Sequence, residues 1–251
     1  MDMSHGAKLW QLHIGLRRTG LLALVDLLSI PQKMREIERK YLFPVINGSV
    51  DNAMTSLFAL IGSYVTSHRL NISMTTFVGI DEYWIFIVRR GEFHFRYRSG
   101  ANRPPQLSVK YRLSRLSNTV RGELNLGIDM TDPDIVQGFM KVVETLARVK
   151  PIRFTIQQSG NIWTLQEPDR DRAIEIVAYK VHRFEPSEID GAFAEIEAVH
   201  FPTAEAAIDR IAHYERAFKL RSYECKQSIA ELFRPGNEKL LKKLLAGQVK
   251  A

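Results

Sequence analysis

The sequence predicts one α+β domain whose strands are antiparallel and amphipathic. Three observations predict it: stretches rich in β-branched and aromatic residues fill the middle of the chain, helical periodicity returns between its halves and at its end, and no Pro- or Gly-rich linker divides the 251 residues. A chain of this length buries a substantial core, and a composition of 45% hydrophobic and 25% charged residues is ordinary for a globular protein.

The charge balance and the cysteine count limit the partners and the compartment. A formal net charge of +7 and a pI near 9.5 favour an anionic partner, such as a nucleotide, a polyphosphate, a nucleic acid or a membrane surface. The single cysteine, Cys225, excludes a disulfide framework and a multi-cysteine zinc site, which indicates a reducing compartment and predicts a cytoplasmic protein. The apolar run 21–30 is too short to span a bilayer and contains Asp26, so no transmembrane segment is predicted. A membrane is not among the partners that we expect.

The chain divides into three predicted parts. Residues 1–34 are an N-terminal extension with a helix over 7–29, residues 35–233 are the main domain, and residues 234–251 are a basic C-terminal helix and tail. The main domain begins with the strand REIERKYLF, which carries Glu36, Glu38 and Lys40 at every second position and therefore on one face. Taken alone, this pattern is typical of a wet edge strand whose charges face solvent.

The remaining elements follow from periodicity and turn signals. A helix is predicted over 49–70, with Ser49 or Asp51 as its N-cap, and another over 131–149, which opens at TDPD. The segments RRGE, SGANRPPQ, QSGN and EPDRDR mark breaks between strands. Further strands are predicted over 71–78, 82–90, 92–99, 106–113, 119–127, 152–158, 161–166, 173–182 and 192–200, and further helices over 203–219, 222–233 and 236–248.

The polar faces of these strands are sorted by charge, which solvent exposure does not require. Acids dominate the first and last strands of the set, and bases dominate those between them. If the strands close into a β-barrel with the polar face inward, the lumen holds carboxylates suited to a hard divalent cation and arginines suited to an oligophosphate. Beyond the first strand, the polar faces carry His94, Arg96 and Arg98; Lys110 and Arg112; Arg121, Glu123 and Asn125; Arg153, Thr155 and Gln157; and Glu195 and Glu197.

Five of these segments occur in the order of a known motif set. EIERK matches E-x-E-x-K, FRYR matches R-x-R, LSVKYR resembles a T-x-K strand, VRGELNL resembles R-x-E-x-E, and IDGAFAEIEAV is similar to G-x-F-x-E-x-E. Together they resemble the CYTH, or triphosphate tunnel metalloenzyme, superfamily, which includes class IV adenylate cyclases, thiamine triphosphatases and inorganic tripolyphosphatases. The resemblance covers residues 35–233 and implies an antiparallel β-barrel tunnel with a polar lumen, flanked by helices, with an extra N-terminal helix and C-terminal helices.

The resemblance also implies which residues hold metal and substrate. In the family, glutamates of the first and last motifs bind Mg²⁺ or Mn²⁺, and basic residues of the tunnel bind the triphosphate. The implied catalytic residues are Glu36, Glu38 and Lys40. The implied metal ligands are Glu36, Glu38, Glu123, Glu195 and Glu197, and the implied triphosphate-binding residues are Lys40, Arg96, Arg98, Lys110, Arg112, Arg121 and Arg153.

Departures from the family pattern bear on activity. Asn125 stands where R-x-E-x-E has its second glutamate, and Tyr179 stands where many members carry a metal-binding aspartate. The early Y-x-D-T segment has only a loose counterpart in FVGIDEYW, residues 77–84. Because this sequence has fewer acidic residues at these positions than the family pattern, we expect weaker metal binding or binding of a different ion.

Two classes of function remain open on the sequence. The first is a metal-dependent phosphohydrolase acting on tripolyphosphate or on a nucleoside or organic triphosphate, with an adenylate cyclase as its enzymatic alternative. The second is a non-catalytic module that binds a nucleotide, a polyphosphate or the 5′-triphosphate end of an RNA. The basic segment 234–250 lacks the interleaved aromatic residues of a platform for single strands. The terminal helices offer surfaces for a homodimer, although no residue specifies one.

Overall fold

The computed structural model describes residues 35–43, 49–68, 72–88, 91–101, 105–112, 120–126, 132–166 and 172–246. For residues 35, 36, 88, 91, 110–112 and 120–126 it describes the backbone alone. The predicted helix over 7–29, the rest of the extension 1–34 and the end of the tail, 247–251, lie outside the described residues.

The described chain contains eight strands and five α-helices, which agrees with the predicted α+β class. The strands are β1 (Arg35–Phe43), β2 (Ile72–Val88), β3 (Gly91–Ala101), β4 (Gln106–Arg112), β5 (Val120–Leu126), β6 (Ile152–Gln166), β7 (Ala173–Arg183) and β8 (Ile189–Val199). The helices are α1 (Val50–Ser67), α2 (Pro133–Ala147), α3 (Ala204–Ala217), α4 (Ile229–Phe233) and α5 (Glu238–Leu245), and a 3₁₀ turn covers Arg221–Tyr223. None of the described helices is both long and apolar enough to cross a membrane.

The strands pair antiparallel in the order β1-β5-β4-β3-β2-β6-β7-β8, and β1 also pairs with β8, so the sheet closes on itself as a barrel. The β1–β5 ladder that completes the circle is short and runs from Arg35–Gly122 to Ile37–Val120. Beyond it, the backbone N–H of Cys225 donates to the carbonyl of Lys40 over 2.8 Å, and Tyr41 forms a bridge with Glu224. A segment from the C-terminal region therefore continues the ladder on that side of β1.

Two predicted strand breaks are wrong, because β2 and β6 are each one long strand where the sequence predicts two. The segment QSGN, predicted as a turn, lies inside β6, where Gly160 pairs with Tyr179. A Cβ atom at Gly160 would overlap the backbone carbonyl of Ala178 and the side chain of Tyr179. This glycine marks a close approach between strands rather than a turn.

Most helices begin where capping residues predict. The Ser49 hydroxyl accepts from the N–H of Asn52 at the start of α1, and α2 follows Asp132 with a proline in its first turn. The predicted helix over 222–233 is wrong in its first half. There the chain forms the 3₁₀ turn, and α4 starts only after Ser228, where Ser228 and Glu231 form a reciprocal capping box.

One hydrophobic core lies between the outer face of the barrel and the helices α1 and α3. Its strand residues include Ile37 and Ile196, which belong to one buried cluster with Leu57 of α1 and Ile211 of α3. The same interface contains a partly buried ion pair between Arg39 and Glu215, and the Tyr41 hydroxyl lies 3.4 Å from the Glu215 carboxylate. These contacts fasten α3 to β1 and establish that this face of β1 points outward. The core also limits access to that face.

A second core fills part of the barrel interior and continues into α4 and α5. Inward residues of β7 and β8 form a buried cluster with leucines of α5, and the Phe193 and Phe233 rings lie 5.9 Å apart. Arg183, at the end of β7, is fully buried and donates to the Phe233 carbonyl and, over 2.6 Å, to Glu238. The C-terminal helices therefore close the barrel at the end where β7 connects to β8.

Glu92 provides a pH-dependent link between β3 and the C-terminal helices. One carboxylate oxygen lies 3.1 Å from His94 and the other accepts from Arg234 over 3.1 Å. These hydrogen bonds, that from His94 first, lower the pKa of Glu92 from 4.5 to about 2.

The hydrogen bonds of Glu92 are expected to stabilise the fold fully at pH values above the pKa of Glu92 in the unfolded chain. This stabilisation is lost as the pH falls through the pKa of Glu92 in the folded protein. Because the folded pKa of Glu92 is depressed, the unfolded chain binds the proton more tightly, and stability declines from about pH 4.5 toward pH 2. Glu92→Gln is expected to lower the free energy of unfolding at pH 7 and to flatten this decline. Denaturant unfolding at a series of pH values measures both, and parallel wild-type and variant curves would contradict the assignment.

Candidate functional site in the barrel interior

The backbone register identifies the residues that face the barrel interior. Residues directly opposite each other in an antiparallel pair project to the same face. Followed from Glu197 of β8 through β7, β6, β2, β3, β4 and β5, the register returns to the face of β1 that carries Glu38. The other face of β1 packs against α3, so the Glu38 face is the inner one.

Most of the predicted site residues occupy this inner face. The predicted residues whose side chains are described and face inward are Glu38, Lys40, Arg96, Arg98, Glu195 and Glu197. Positions 36, 110, 112, 121 and 123 share the face by register, while the side chains of Glu36, Lys110, Arg112, Arg121 and Glu123 lie outside the described part of the structure. The barrel thus brings together acids of β1 and β8 and bases of β3, which are far apart in sequence.

Lys40 lies at the centre of the acidic side of the interior. Its Nζ is 2.8 Å from Glu195 Oε1 and 3.7 Å from Glu38 Oε1. Only 3% of Glu38 and 5% of Lys40 are exposed. The ammonium therefore balances two carboxylates in a water-poor environment, where charge interactions are stronger than at the surface.

Tyr179 points into the same cluster, and its hydroxyl donates to Glu195 Oε1 over 2.8 Å. Burial raises the pKa of Tyr179 well above its ordinary value, and the Glu195 carboxylate raises it further, so the phenol stays protonated. Glu195 consequently has two donors, the ammonium of Lys40 and this phenol. The residue that replaces the expected aspartate is a hydrogen-bond donor rather than a metal ligand.

A row of three carboxylates crosses the acidic side. Glu38 pairs with Glu197 across β1 and β8, and Glu197 pairs with Glu175 across β8 and β7. Sequence reasoning did not select Glu175. Its position four residues before Tyr179, and hence on the same face of β7, is the signal that would have identified it.

Asp81 is a second residue that the sequence analysis did not select. It is buried on the inner face of β2 and accepts two hydrogen bonds from Arg98, of 2.9 and 3.0 Å. Burial and the neighbouring Arg96 both lower the pKa of Arg98, and Asp81 outweighs them, so that the pKa is raised. Asp81 lies within FVGIDEYW, the loose counterpart of the family's Y-x-D-T segment. Arg98 is thereby fixed in orientation beside a second guanidinium.

The prediction that Arg153 lines the lumen is wrong. The register places it on the outer face of β6, where it is exposed, donates to Gln137 of α2 over 3.1 Å and lies over the Trp84 ring. The inner residues next to it on this strand include the buried Phe154 and Ile156. The pairing with β2 decides the face, because Phe154 lies opposite the inward-facing Tyr83 and the two rings stack 5.0 Å apart, whereas Arg153 lies opposite Trp84 on the face where α2 contacts the sheet.

The inward carboxylates are the type of ligand that a hard divalent cation prefers, but their described positions do not form a metal-binding group. Mg²⁺ and Mn²⁺ prefer carboxylate oxygens, which Glu38, Glu195 and Glu197 supply on adjacent strands. Among the described side chains, no group of three His, Cys, Asp or Glu residues is placed to hold a metal ion. In the described arrangement, Lys40 supplies the positive charge between Glu38 and Glu195.

Comparisons with known proteins support the fold. No protein-family model matches the chain, and no curated protein matches it. The structure of the PH1819 protein from Pyrococcus horikoshii OT3 is similar, with a TM-score of 0.52 and 16% identity over 83% of this chain and 99% of that one. At this identity the likeness shows the fold alone.

Two structures of the S. pombe Pct1 RNA triphosphatase are more distant. The complex with the Spt5 CTD has a TM-score of 0.42 and 12% identity, over 85% of this chain and 94% of that one. The second Pct1 structure has a TM-score of 0.37 and 13% identity, over 79% and 87% of the two chains. With TM-scores below 0.5, neither carries an argument about activity.

Proposed function

We propose that this protein binds a triphosphate inside the barrel and hydrolyses it with Mg²⁺ or Mn²⁺. The observation that supports the proposal is the division of the inner face, which carries the Glu38–Lys40–Glu195 cluster on β1 and β8 and the Arg96–Arg98 pair on β3. Phosphoryl transfer depends mainly on positioning and charge neutralisation, and this interior provides charges of both signs.

The residues divide into two groups by charge. Lys40, Arg96 and Arg98 are proposed to bind the phosphate oxygens, together with Lys110, Arg112 and Arg121. Asp81 fixes Arg98 so that little side-chain freedom is lost on binding. The residues proposed to hold the metal are Glu36, Glu38, Glu123, Glu195 and Glu197, and a metal bound there supplies charge neutralisation and an acidified water.

A non-catalytic binding module is the second candidate, and a specific observation favours it. Glu195 already accepts from both Lys40 and Tyr179, so a metal ion would have to displace or share these donors. An anion could bind to the basic residues of the interior, such as Arg96 and Arg98 of β3, without displacing these donors. A barrel of this kind would sense a nucleotide, a polyphosphate or a triphosphorylated RNA end without hydrolysing it.

A substrate panel separates the two candidates. Phosphate release is measured with tripolyphosphate, ATP, GTP, thiamine triphosphate and 5′-triphosphorylated RNA, each with Mg²⁺, with Mn²⁺ and with EDTA. Metal-dependent release from one compound would support the enzyme and identify its substrate class. Stabilisation against heat by one compound without release would support the binding module. The absence of both effects for every compound would contradict the proposed function.

Product analysis separates hydrolysis from cyclisation. A triphosphatase acting on ATP releases phosphate and the diphosphate, whereas an adenylate cyclase yields cyclic nucleotide and pyrophosphate. Chromatography of the ATP reaction distinguishes these products. The homodimer, the cytoplasmic location and the division at residues 34 and 233 remain predictions, and size-exclusion chromatography with light scattering tests the first of them.

A further inference from the structure

Ser108 stands out in the interior because its polar atom is buried and has no partner. It lies in the middle of β4, none of its surface is exposed, and its Oγ makes no hydrogen bond within the described structure. The register pairs Ser108 with Arg96 of β3 and with position 125 of β5, so it belongs to the inner face on the basic side.

An unpaired hydroxyl at this depth calls for a physical reason. Buried polar side chains are nearly always hydrogen-bonded, and leaving one unpaired lowers stability. Alanine at the same position would keep most of the packing without the loss of stability that an unpaired hydroxyl causes. The adjacent inner position on β3 carries a guanidinium, so the hydroxyl lies where an anion would be attracted.

We propose that Ser108 Oγ donates a hydrogen bond to a non-bridging phosphoryl oxygen of the anion held beside Arg96. Ser108 thereby becomes a substrate-binding residue of the barrel interior, and the inference rests on the function proposed above. The ligand class is a condensed phosphate or a phosphate ester, because its oxygens accept from a neutral hydroxyl and a guanidinium at once. A water molecule held there in the free protein would be displaced by the phosphoryl oxygen without loss of the hydrogen bond.

The inference predicts that stability and affinity respond in opposite directions to Ser108→Ala. Removal of an unpaired hydroxyl should leave the melting temperature of the free protein unchanged or raise it. The dissociation constant for inorganic tripolyphosphate, measured by calorimetry in EDTA so that no hydrolysis occurs, should rise about tenfold to a hundredfold, as expected for one hydrogen bond to a charged group. Ser108→Thr keeps a hydroxyl and should restore most of the affinity.

Two further variants make the experiment specific. Ser108→Cys keeps the size of the side chain but donates only weakly, so its affinity should fall even if alanine perturbs the packing. Ser159→Ala is the matched control, because Ser159 lies on a strand of the same barrel but on the outer face. Its affinity for tripolyphosphate should equal that of the wild type.

Each outcome bears on the proposal. Wild-type affinity in both Ser108→Ala and Ser108→Cys would overturn the inference and leave the proposed function intact. A lower melting temperature with unchanged affinity would overturn it as well, since the hydroxyl would then be structural. No binding of tripolyphosphate by the wild type would overturn the inference, and the substrate panel would show separately whether the proposed function fails with it.

Discussion

Glu38→Ala is expected to lower metal-dependent phosphate release strongly while the protein stays folded. Glu38 faces the interior and lies opposite Glu197, and it is the most deeply buried of the proposed metal ligands whose side chains are described. A metal ion contributes several kcal/mol to the stabilisation of a phosphoryl transition state, and the loss of a ligand should therefore lower kcat/KM about a thousandfold. The measurement is phosphate release from the compound that the panel identifies, across a range of Mn²⁺ concentrations.

The fold should tolerate this change because Lys40 keeps its shorter contact with Glu195. Removal of one acid also relieves repulsion within the row of Glu38, Glu197 and Glu175. Arg153→Ala serves as the control, since Arg153 lies on the exposed outer face, and its activity should match the wild type. Full activity of Glu38→Ala, or an equal loss in Arg153→Ala, would contradict the proposed metal site.

The sequence was sufficient to predict which residues face the interior on strands where charged and apolar residues alternate. In β1, β3 and the second half of β8, apolar residues pack outward against a helix, and the predicted site residues share the inner face. Because the period of a strand is two, Glu38 and Lys40, Arg96 and Arg98, and Glu195 and Glu197 were assigned to the correct face without coordinates.

The sequence was insufficient where contacts between distant segments determine which way a side chain points or whether a segment is a strand or a turn. The alternation in β6 resembles that of β3, but the pairing with β2 places Phe154 against the inward Tyr83 ring and Arg153 beside the outward Trp84 ring. QSGN carries the residues of a turn, yet Gly160 is required by a neighbouring backbone inside a strand. Asp81 and Ser108 became site residues only when the register placed them beside Arg98 and Arg96. Local patterns do not contain that information.

Lys40→Met is expected to destabilise the protein strongly, because methionine fills a similar volume without charge. Glu38 and Glu195 would lose their common cation inside the barrel, and the loss of one partner of a buried ion pair costs about 3–5 kcal/mol of unfolding free energy. Denaturant unfolding measures the change. Lys180→Met is the matched control, since Lys180 pairs with the exposed Asp51 at 3.1 Å, and its effect should stay below about 1 kcal/mol.

The same variant tests whether a divalent cation binds between these carboxylates. An ammonium and a metal ion cannot occupy one position, so removal of the ammonium should favour the metal, and Mn²⁺ should raise the melting temperature of Lys40→Met more than that of the wild type. Tripolyphosphate binding should weaken in the variant, because one of the proposed phosphate ligands is lost. Equal Mn²⁺ responses in both proteins would place any metal away from Lys40. In that case Glu38 and Glu195 serve to orient Lys40, and the barrel is better explained as an anion sensor than as a metal-dependent hydrolase.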